Sequence, residues 1–519
     1  MKISIIGSGL GGLAAGAYLA KQGFEVHIFE RLNQVGGYVH TFSRGGYTFE
    51  ASTHQLNGFD LDNCFGETIK ALGIDRRLTI KKQPDAFELL LFDDAAIVRR
   101  FLIHAGYENA FKDLTNYFPD HKDETKMILD ECRGTARDLL RVKRLRQPNP
   151  HHRPVDLLTL MLLKQSSRSV IAKTIGTRSW EYLVKYKERP YDNIAAIATD
   201  KTLKLIFSQL CHYVGADPKT VPAYVPAMIT NLIMLEGPVS IVGGTGSLLR
   251  SLVDVIYENG GRIHFKSRVT GVEIRGRRVQ SLVIDGDKQV PTDIVIANGS
   301  AYDTYKNIVG LDNINDDKLR SKILAYEPSL SVFQVYIGLP FDPAQYGLPT
   351  ATMILNPAEN LDFPYSEQPQ PGDRTPFIMT NLSVANPEFN PGENTSIIIT
   401  EYDRRDRWRD LSDIQYQKQK QATQTVILNK AKRVTPIPFD KADIVFSGTP
   451  RTMSHYSADE FGGIVGAKFI PAQTSVNRFD YQGPFENFYL VGADSRSSAG
   501  VGNCLDSGVV VGRMITKRR

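Results

Sequence analysis

Lys2-Ile3-Ser4-Ile5-Ile6-Gly7-Ser8-Gly9-Leu10-Gly11-Gly12 decides the fold. The β-branched run Ile3, Ile5 and Ile6 suits a strand buried on both faces. It breaks into a loop, Gly7, Gly9, Leu10, Gly11 and Gly12, of the form G-x-G-x-x-G. In that pattern the first glycine allows the tight turn, the second lets backbone approach a pyrophosphate, and the third lets the next helix pack closely. A helix through Leu13, Ala14, Ala17, Tyr18 and Leu19, stopped at Gly23, offers its positive N-terminus to phosphates. Val26, Ile28 and Phe29 form a second strand, and Glu30 stands at its end, followed by Arg31. An acid there accepts ribose hydroxyls and disfavours a 2′-phosphate, so FAD or NAD is expected rather than NADP.

The paired glycines Gly36-Gly37 follow, then Tyr38, His40-Thr41-Phe42 and Glu50. Together these elements resemble the FAD-binding opening of the phytoene desaturase, carotenoid isomerase and retinol saturase superfamily, which extends to flavin amine oxidases. The Gly-Gly-x-x-His-Thr-Phe form is most similar to retinol saturases. Many members carry Arg after the paired glycines, where this chain has Tyr38, and Ser52 replaces a usual glycine. Two later blocks carry the same resemblance. The first runs from Gly243-Gly244-Thr245-Gly246 through a helix to Gly260-Gly261, a strand from Ile263 and a hairpin across Arg275-Gly276-Arg277. There the backbone of Val269 is implied to hold the adenine. The second is Asn487 to Asp494, then a small-residue loop and a helix from Asn503 to Met514. In it Gly492, Asp494, Gly502 and Asn503 are implied cofactor residues, Asp494 on the ribityl chain and the amides near Gly502 and Asn503 at the flavin edge.

Composition narrows the class further. A chain of 519 residues exceeds one core. Hydrophobic residues at 42% and charged residues at 23% mark a globular protein, and a net charge of +5 does not indicate a nucleic-acid partner. Cys64, Cys132, Cys211 and Cys504 are scattered without C-x-x-C spacing, as expected for free thiols in a reducing, cytoplasmic compartment. The chain begins within its first strand, which leaves no room for a signal peptide. No metal site is expected.

The expected architecture is α/β. A Rossmann-like FAD-binding domain comes from residues 1–60, 237–310 and 455–519, and a discontinuous α+β substrate domain from 61–236 and 311–454. Residues 61–236 read as mostly helical, with helices Glu67 to Leu72, Glu108 to Phe118 and Asp123 to Leu145. Leu330 to Leu339 and Ser396 to Tyr402 read as strands, and Asp403 to Thr425 as a helix. Within 133–170, seven basic residues from Arg133 to Arg153 precede the apolar block Val155 to Leu163. That arrangement suits peripheral contact with an anionic membrane; the alternative is a charged helix followed by a core helix.

No nucleophile set or zinc spacing is recognisable, so the cofactor must carry the hard step. The resemblance implies desaturation, saturation or cis-trans isomerisation of a hydrophobic polyene or isoprenoid by hydride transfer at flavin N5. His54 is the candidate catalytic residue, set against a structural histidine bonded to backbone. Two other classes remain open: a flavin amine oxidase-like enzyme, with an aromatic cage and commonly a Lys, and a flavin-free binding protein of the Rab-escort or GDP-dissociation-inhibitor kind.

Overall fold

The computed structural model describes residues 1–51, 55–59, 65–146, 197–361, 369–474 and 477–518. The strand Lys2–Ile6 lies at the centre of a five-stranded parallel sheet. The order is Arg262–His264, Glu25–Phe29, Lys2–Ile6, Ile294–Ala297, Phe488–Leu490. Ile3 and Ile5 have no solvent exposure, and Ile5 sits in register with Ile28 on one side and Ile296 on the other. A strand flanked on both sides and covered on both faces has no need of exposed polar positions, which is why Ile3, Ile5 and Ile6 crowd it with only the small, buried Ser4 between them.

Helices Leu10–Lys21 and Val501–Thr516 pack against each other on one face of this sheet. A Cβ placed on Gly508 would lie 2.5 Å from both the Ala15 nitrogen and the Gly11 oxygen. Only a glycine lets the two backbones meet, so the C-terminal helix bears directly on the helix that follows the glycine loop. The expected hairpin is Val269–Arg275 against Arg278–Ile284, extended to three antiparallel strands by Lys288–Pro291.

A second sheet has seven strands. Its order is Ile444–Gly448, Ser331–Leu339, Thr395–Asp403, Phe377–Asn381, Thr352–Pro357, Asp85–Phe92, Ile97–His104. Three helices between residues 61 and 236 stand close to the expected positions, at Gly66–Leu72, Tyr107–Tyr117 and Lys122–Arg146. The strands Asp85–Phe92 and Ile97–His104, however, correct the mostly helical reading of this region. Leu89 and Leu91 pack towards Leu114, Ile128 and Leu203 of the helices on one face, while Leu90 and Phe92 join Ile427, Ala431 and Val434 on the other. With both faces apolar, the period-2 signal that marks a half-exposed strand is erased. The same burial conceals Thr352–Pro357 and Phe377–Asn381.

The helix expected over Asp403 to Thr425 is displaced. Asp403 closes a strand, and the long helix is Asp413–Val434, started by a capping box in which Ser412 and Gln415 bond reciprocally.

Helix Lys122–Arg146 buries Ile128, Leu129, Cys132 and Ala136 in the core and leaves Arg133 and Arg137 exposed. The apolar block Val155 to Leu163 lies outside the described residues, so the membrane-contact reading of 133–170 has no structural account beyond this helix. No helix among the described residues is long and apolar enough to cross a membrane. No disulfide joins Cys132, Cys211 and Cys504 to one another among the described residues; Cys64 is outside them.

Candidate active site

The glycine loop is held by its neighbours before any ligand is considered. The Gly7 N–H donates to the Phe29 oxygen at 2.9 Å with φ at +86°, which turns the chain sharply off its strand. The Gly36 N–H donates to the Ser8 oxygen at 3.0 Å, so Gly36-Gly37 forms a second rim beside the loop. From the other side comes Asn298, directly after the strand Ile294–Ala297, its own N–H donating to Ile6 at 2.9 Å. A Cβ on Gly9 would lie 2.6 Å from the Asn298 Nδ2. One on Gly11 would lie 2.7 Å from the Asn298 Oδ1 and 2.8 Å from the Gly492 nitrogen. Gly9, Leu10, Gly11, Gly12, Asn298 and Gly492 therefore converge into one cradle. Asn298 was not anticipated, although a polar residue ending an apolar strand beside the strand of the glycine loop is a readable signal.

Glu30 is 8% exposed and its seat is specific. Oε2 accepts from the Ser8 N–H at 3.0 Å and the Ser8 hydroxyl at 2.6 Å, and Oε1 accepts from the Leu32 N–H at 2.9 Å. A carboxylate offers about four acceptor positions, so three internal bonds leave one, on Oε1, for a ligand hydroxyl. Next to it the Arg31 Nη2 is buried with no partner among the described residues, and burial lowers the guanidinium below its ordinary pKa. Val269 is brought to the same corner, because the Ser267 N–H donates to the Glu30 oxygen at 2.8 Å and the Lys266 N–H to the Leu32 oxygen at 2.9 Å. The Cβ-excluding cradle, the spare acceptor on Glu30 and the orphaned Arg31 donor together fit a dinucleotide with a pyrophosphate and a ribose.

Asp494 is 1% exposed, and its carboxylate is engaged inward. The N–H groups of Ala301 and Ala467 donate to it at 2.7 Å each, the Tyr326 hydroxyl reaches it at 3.3 Å, and the buried Arg478 stands 3.9 Å away. These contacts tie three segments together. Gly502 and Asn503 form the first turn of helix Val501–Thr516. The Gly502 Cα faces the Phe65 ring, and the Asn503 side chain donates to the Ala499 oxygen at 2.9 Å.

Gly243-Gly244 receives a protein carboxylate. Glu50, 4% exposed, accepts from the Thr245 N–H at 2.8 Å, from the Thr245 hydroxyl and from the Thr41 hydroxyl at 2.9 Å. The N-terminus of helix Gly244–Glu258 is thereby filled by Glu50.

His54 lies outside the described residues. His40 is half-buried, contacts the Gly37 oxygen at 3.2 Å and packs 5.8 Å from the Tyr456 ring; burial lowers its pKa.

Tyr38 stands near three carboxylates, Asp459, Asp494 and Asp303. Burial first, and then these charges, push its hydroxyl well above the ordinary tyrosine range. Asp459, 5% exposed, is itself raised from 3.8 to about 7, mainly by burial and further by Asp494 and Asp303. Its folded-state pKa therefore exceeds its unfolded one. The stabilisation is fully present below the unfolded value and is lost as pH rises through about 7. A shift of this size corresponds to roughly 4 kcal/mol. Asp459→Asn should accordingly show a shallower loss of stability between pH 5 and pH 8 in urea unfolding; parallel profiles for the two proteins would contradict this reading.

The sequence matches the family described as flavin containing amine oxidoreductase over residues 10–309, more than half of the chain. The chain belongs to this family. It is thus a flavin-dependent oxidoreductase. The all-trans-retinol 13,14-reductase of Danio rerio is 23% identical to it over 544 residues, covering 99% of this chain and 86% of the relative. The chloroplastic prolycopene isomerase 2 of an Oncidium hybrid cultivar is 23% identical over 88% of this chain and 74% of its own length. The 4,4′-diaponeurosporene oxygenase of Staphylococcus aureus is 22% identical over 73% and 71%. Among solved structures, an oxidoreductase from Methanosarcina mazei is similar with a TM-score of 0.61 and 18% identity over all of both chains. Wild-type putrescine oxidase bound to putrescine is similar with a TM-score of 0.62 and 12% identity, also over all of both chains. At these identities the likeness is one of fold.

Proposed function

We propose that the flavin is FAD and that the enzyme alters carbon-carbon bonds of a hydrophobic polyene or isoprenoid, by desaturation, saturation or cis-trans isomerisation. The observation that carries this reading is the similarity along 73–99% of the chain to a retinol reductase, a prolycopene isomerase and a diaponeurosporene oxygenase, all named for conjugated or isoprenoid molecules.

On this reading residues 1–60, 237–310 and 455–519 hold the cofactor and 61–236 with 311–454 hold the substrate. Gly7, Gly9, Gly11 and Gly12 surround the pyrophosphate, with Asn298 beside them. The Glu30 Oε1 takes a ribose hydroxyl, Arg31 adds a donor nearby, the Val269 backbone meets the adenine, and the amides at Gly502 and Asn503 face the flavin. A bound flavin supplies hydride acceptance or donation at N5.

The chain supplies position and dryness. One apolar cluster runs from Leu89, Ile354 and Ile378 of the seven-stranded sheet to Val465, Ala499 and the partly buried Ala493, beside Asp494. A long apolar substrate admitted beside this packed, dry core would lose water without leaving polar groups unpaired. His54 orients the substrate on this reading. The amine-oxidase alternative calls for a lysine near the flavin. The buried lysine among the described residues, Lys430, is instead held 2.7 Å from Glu401 on the opposite face of the large sheet.

The test is anaerobic incubation of oxidised and of reduced protein with polyenes and with primary and secondary amines, following flavin absorbance and products. A polyene changed in bond order or geometry is expected. Rapid flavin reduction by an amine, with every polyene unaltered in both redox states, would move the enzyme to the amine-oxidase branch.

A further inference from the structure

Where the strand Thr395–Asp403 ends, the chain continues through Arg404 and Arg405 into the short helix Asp406–Arg409, which packs against helix Pro450–Ser457. Three guanidinium groups meet there. The Nε and Nη1 of Arg405 and the Nη1 of Arg451 are buried, and none has a hydrogen-bond partner among the described residues. Asp410 and Glu460 favour the Arg405 charge, but no acid hydrogen-bonds to these three nitrogens among the described residues. Glu460 is taken by Arg409 at 3.3 Å, and Asp413, which faces Arg451 from 3.7 Å, is 93% exposed on the rim. Burial first, and then repulsion from Arg409 and Arg451, lowers the Arg405 pKa. Arg451 is held in place beneath by Tyr416, whose ring centroid lies 5.0 Å from its guanidinium carbon.

Buried charged donors without acceptors are costly, and native proteins keep few of them. Here three such nitrogens lie on two side chains that repel each other, in a part of the molecule remote in sequence from the glycine loop. We propose that Arg405, Arg409 and Arg451 form a binding site for an oxoanion, a phosphate or carboxylate group carried by a small ligand. Planar guanidinium groups match the paired oxygens of either group, and one such anion would supply acceptors to several of these donors at once. None of the three arginines belongs to the glycine loop or to the Glu30 corner, and the proposal does not depend on which substrate the enzyme takes.

The test uses flavin-saturated protein, so that the pyrophosphate cradle is already filled. Inorganic phosphate and acetate are titrated separately, with sodium chloride holding ionic strength constant, and binding is read by calorimetry and by the shift in melting temperature. Saturable binding of at least one anion is expected, and which one binds identifies the ligand chemistry. Arg405→Leu and Arg451→Gln should each weaken it by about tenfold or more. Arg277→Gln, at a site 86% exposed elsewhere on the surface, should bind as the unmodified protein does. Should Arg405→Leu not fold, Arg451→Gln with the same titration decides. Absence of saturable binding for both anions, or binding undiminished in the arginine variants, would overturn the proposal.

Discussion

Gly11→Val is expected to cost the protein most of its flavin, while Gly9→Ala is expected to be rescued by a second substitution. The contrast follows from what stands opposite each glycine. A Cβ on Gly11 would lie 2.8 Å from the Gly492 nitrogen and 3.1 Å from its Cα, atoms of a backbone fixed at the end of the strand Phe488–Leu490. No side-chain rotation relieves that contact, so helix Leu10–Lys21 must move away from its place beside the cofactor. Overpacking of this kind costs about 1–3 kcal/mol, and because it falls on the cradle the larger effect should appear in binding. Flavin affinity should drop by about tenfold or more, equivalent to about 1.4 kcal/mol. Gly9 has an extended backbone that alanine also adopts, with φ −67° and ψ 171°, and the three atoms nearest to a Cβ there all belong to the Asn298 side chain. Gly9→Ala alone should lower flavin occupancy, and Gly9→Ala with Asn298→Ala should recover part of it, whereas Asn298→Ala should not rescue Gly11→Val. The ratio of flavin to protein absorbance and a fluorescence titration with FAD measure all five proteins. Equal occupancy in Gly11→Val and the unmodified protein would remove this account of the cradle.

The second large effect concerns stability. Lys430 and Glu401 are an ion pair at 2.7 Å with almost no exposure. Lys430 also donates to the oxygens of Gly372 and Thr375 at 2.8 and 2.9 Å, and the Thr375 hydroxyl donates to Glu401 at 2.6 Å. Burial pushes the Glu401 pKa up and the Lys430 pKa down, so each charge depends on the other to remain ionised. Lys430→Met should destabilise the protein by about 3–5 kcal/mol, because it leaves a carboxylate buried without its counter-charge. The sign of the pH dependence follows. In the variant Glu401 binds its proton more tightly folded than unfolded, so stability should fall as pH rises from 5 to 8. Lys430→Met with Glu401→Leu should restore most of the loss, since two apolar groups of similar size need no partner. Urea unfolding of the single and double variants at both pH values checks this, and a single variant within 1 kcal/mol of the unmodified protein would show that the pair contributes little.

Local physics made the cofactor half legible from sequence. A buried parallel strand, a turn that tolerates only glycine, a helix start and a terminal acid must follow one another within about thirty residues to hold a dinucleotide. Lys2 to Glu30 satisfies each of these requirements by residue type alone, and the strand, helix and strand lie where that reading puts them. The large sheet was legible only in part, through Leu330 to Leu339 and Ser396 to Tyr402; its other strands were hidden for the opposite reason. Asp85–Phe92 is apolar on both faces because helices cover it on each side, and that covering comes from residues as distant as Ile427 and Val434.

Partnership across the chain was decided by tertiary structure alone. Glu50 resembles a family motif in sequence, but only folding brings Thr245 to cap it, 195 residues away. Asp494 stands in a recognisable strand ending, yet its bonds to Ala301, Ala467 and Tyr326 could not be inferred from its neighbours in the chain. Asn298 joins the cradle only because parallel pairing sets the strand Ile294–Ala297 beside Lys2–Ile6. The amino-acid sequence determines local conformation through short-range sterics and periodicity. Which polar groups end up buried together is decided by long-range packing, and the energies of the candidate site depend on it.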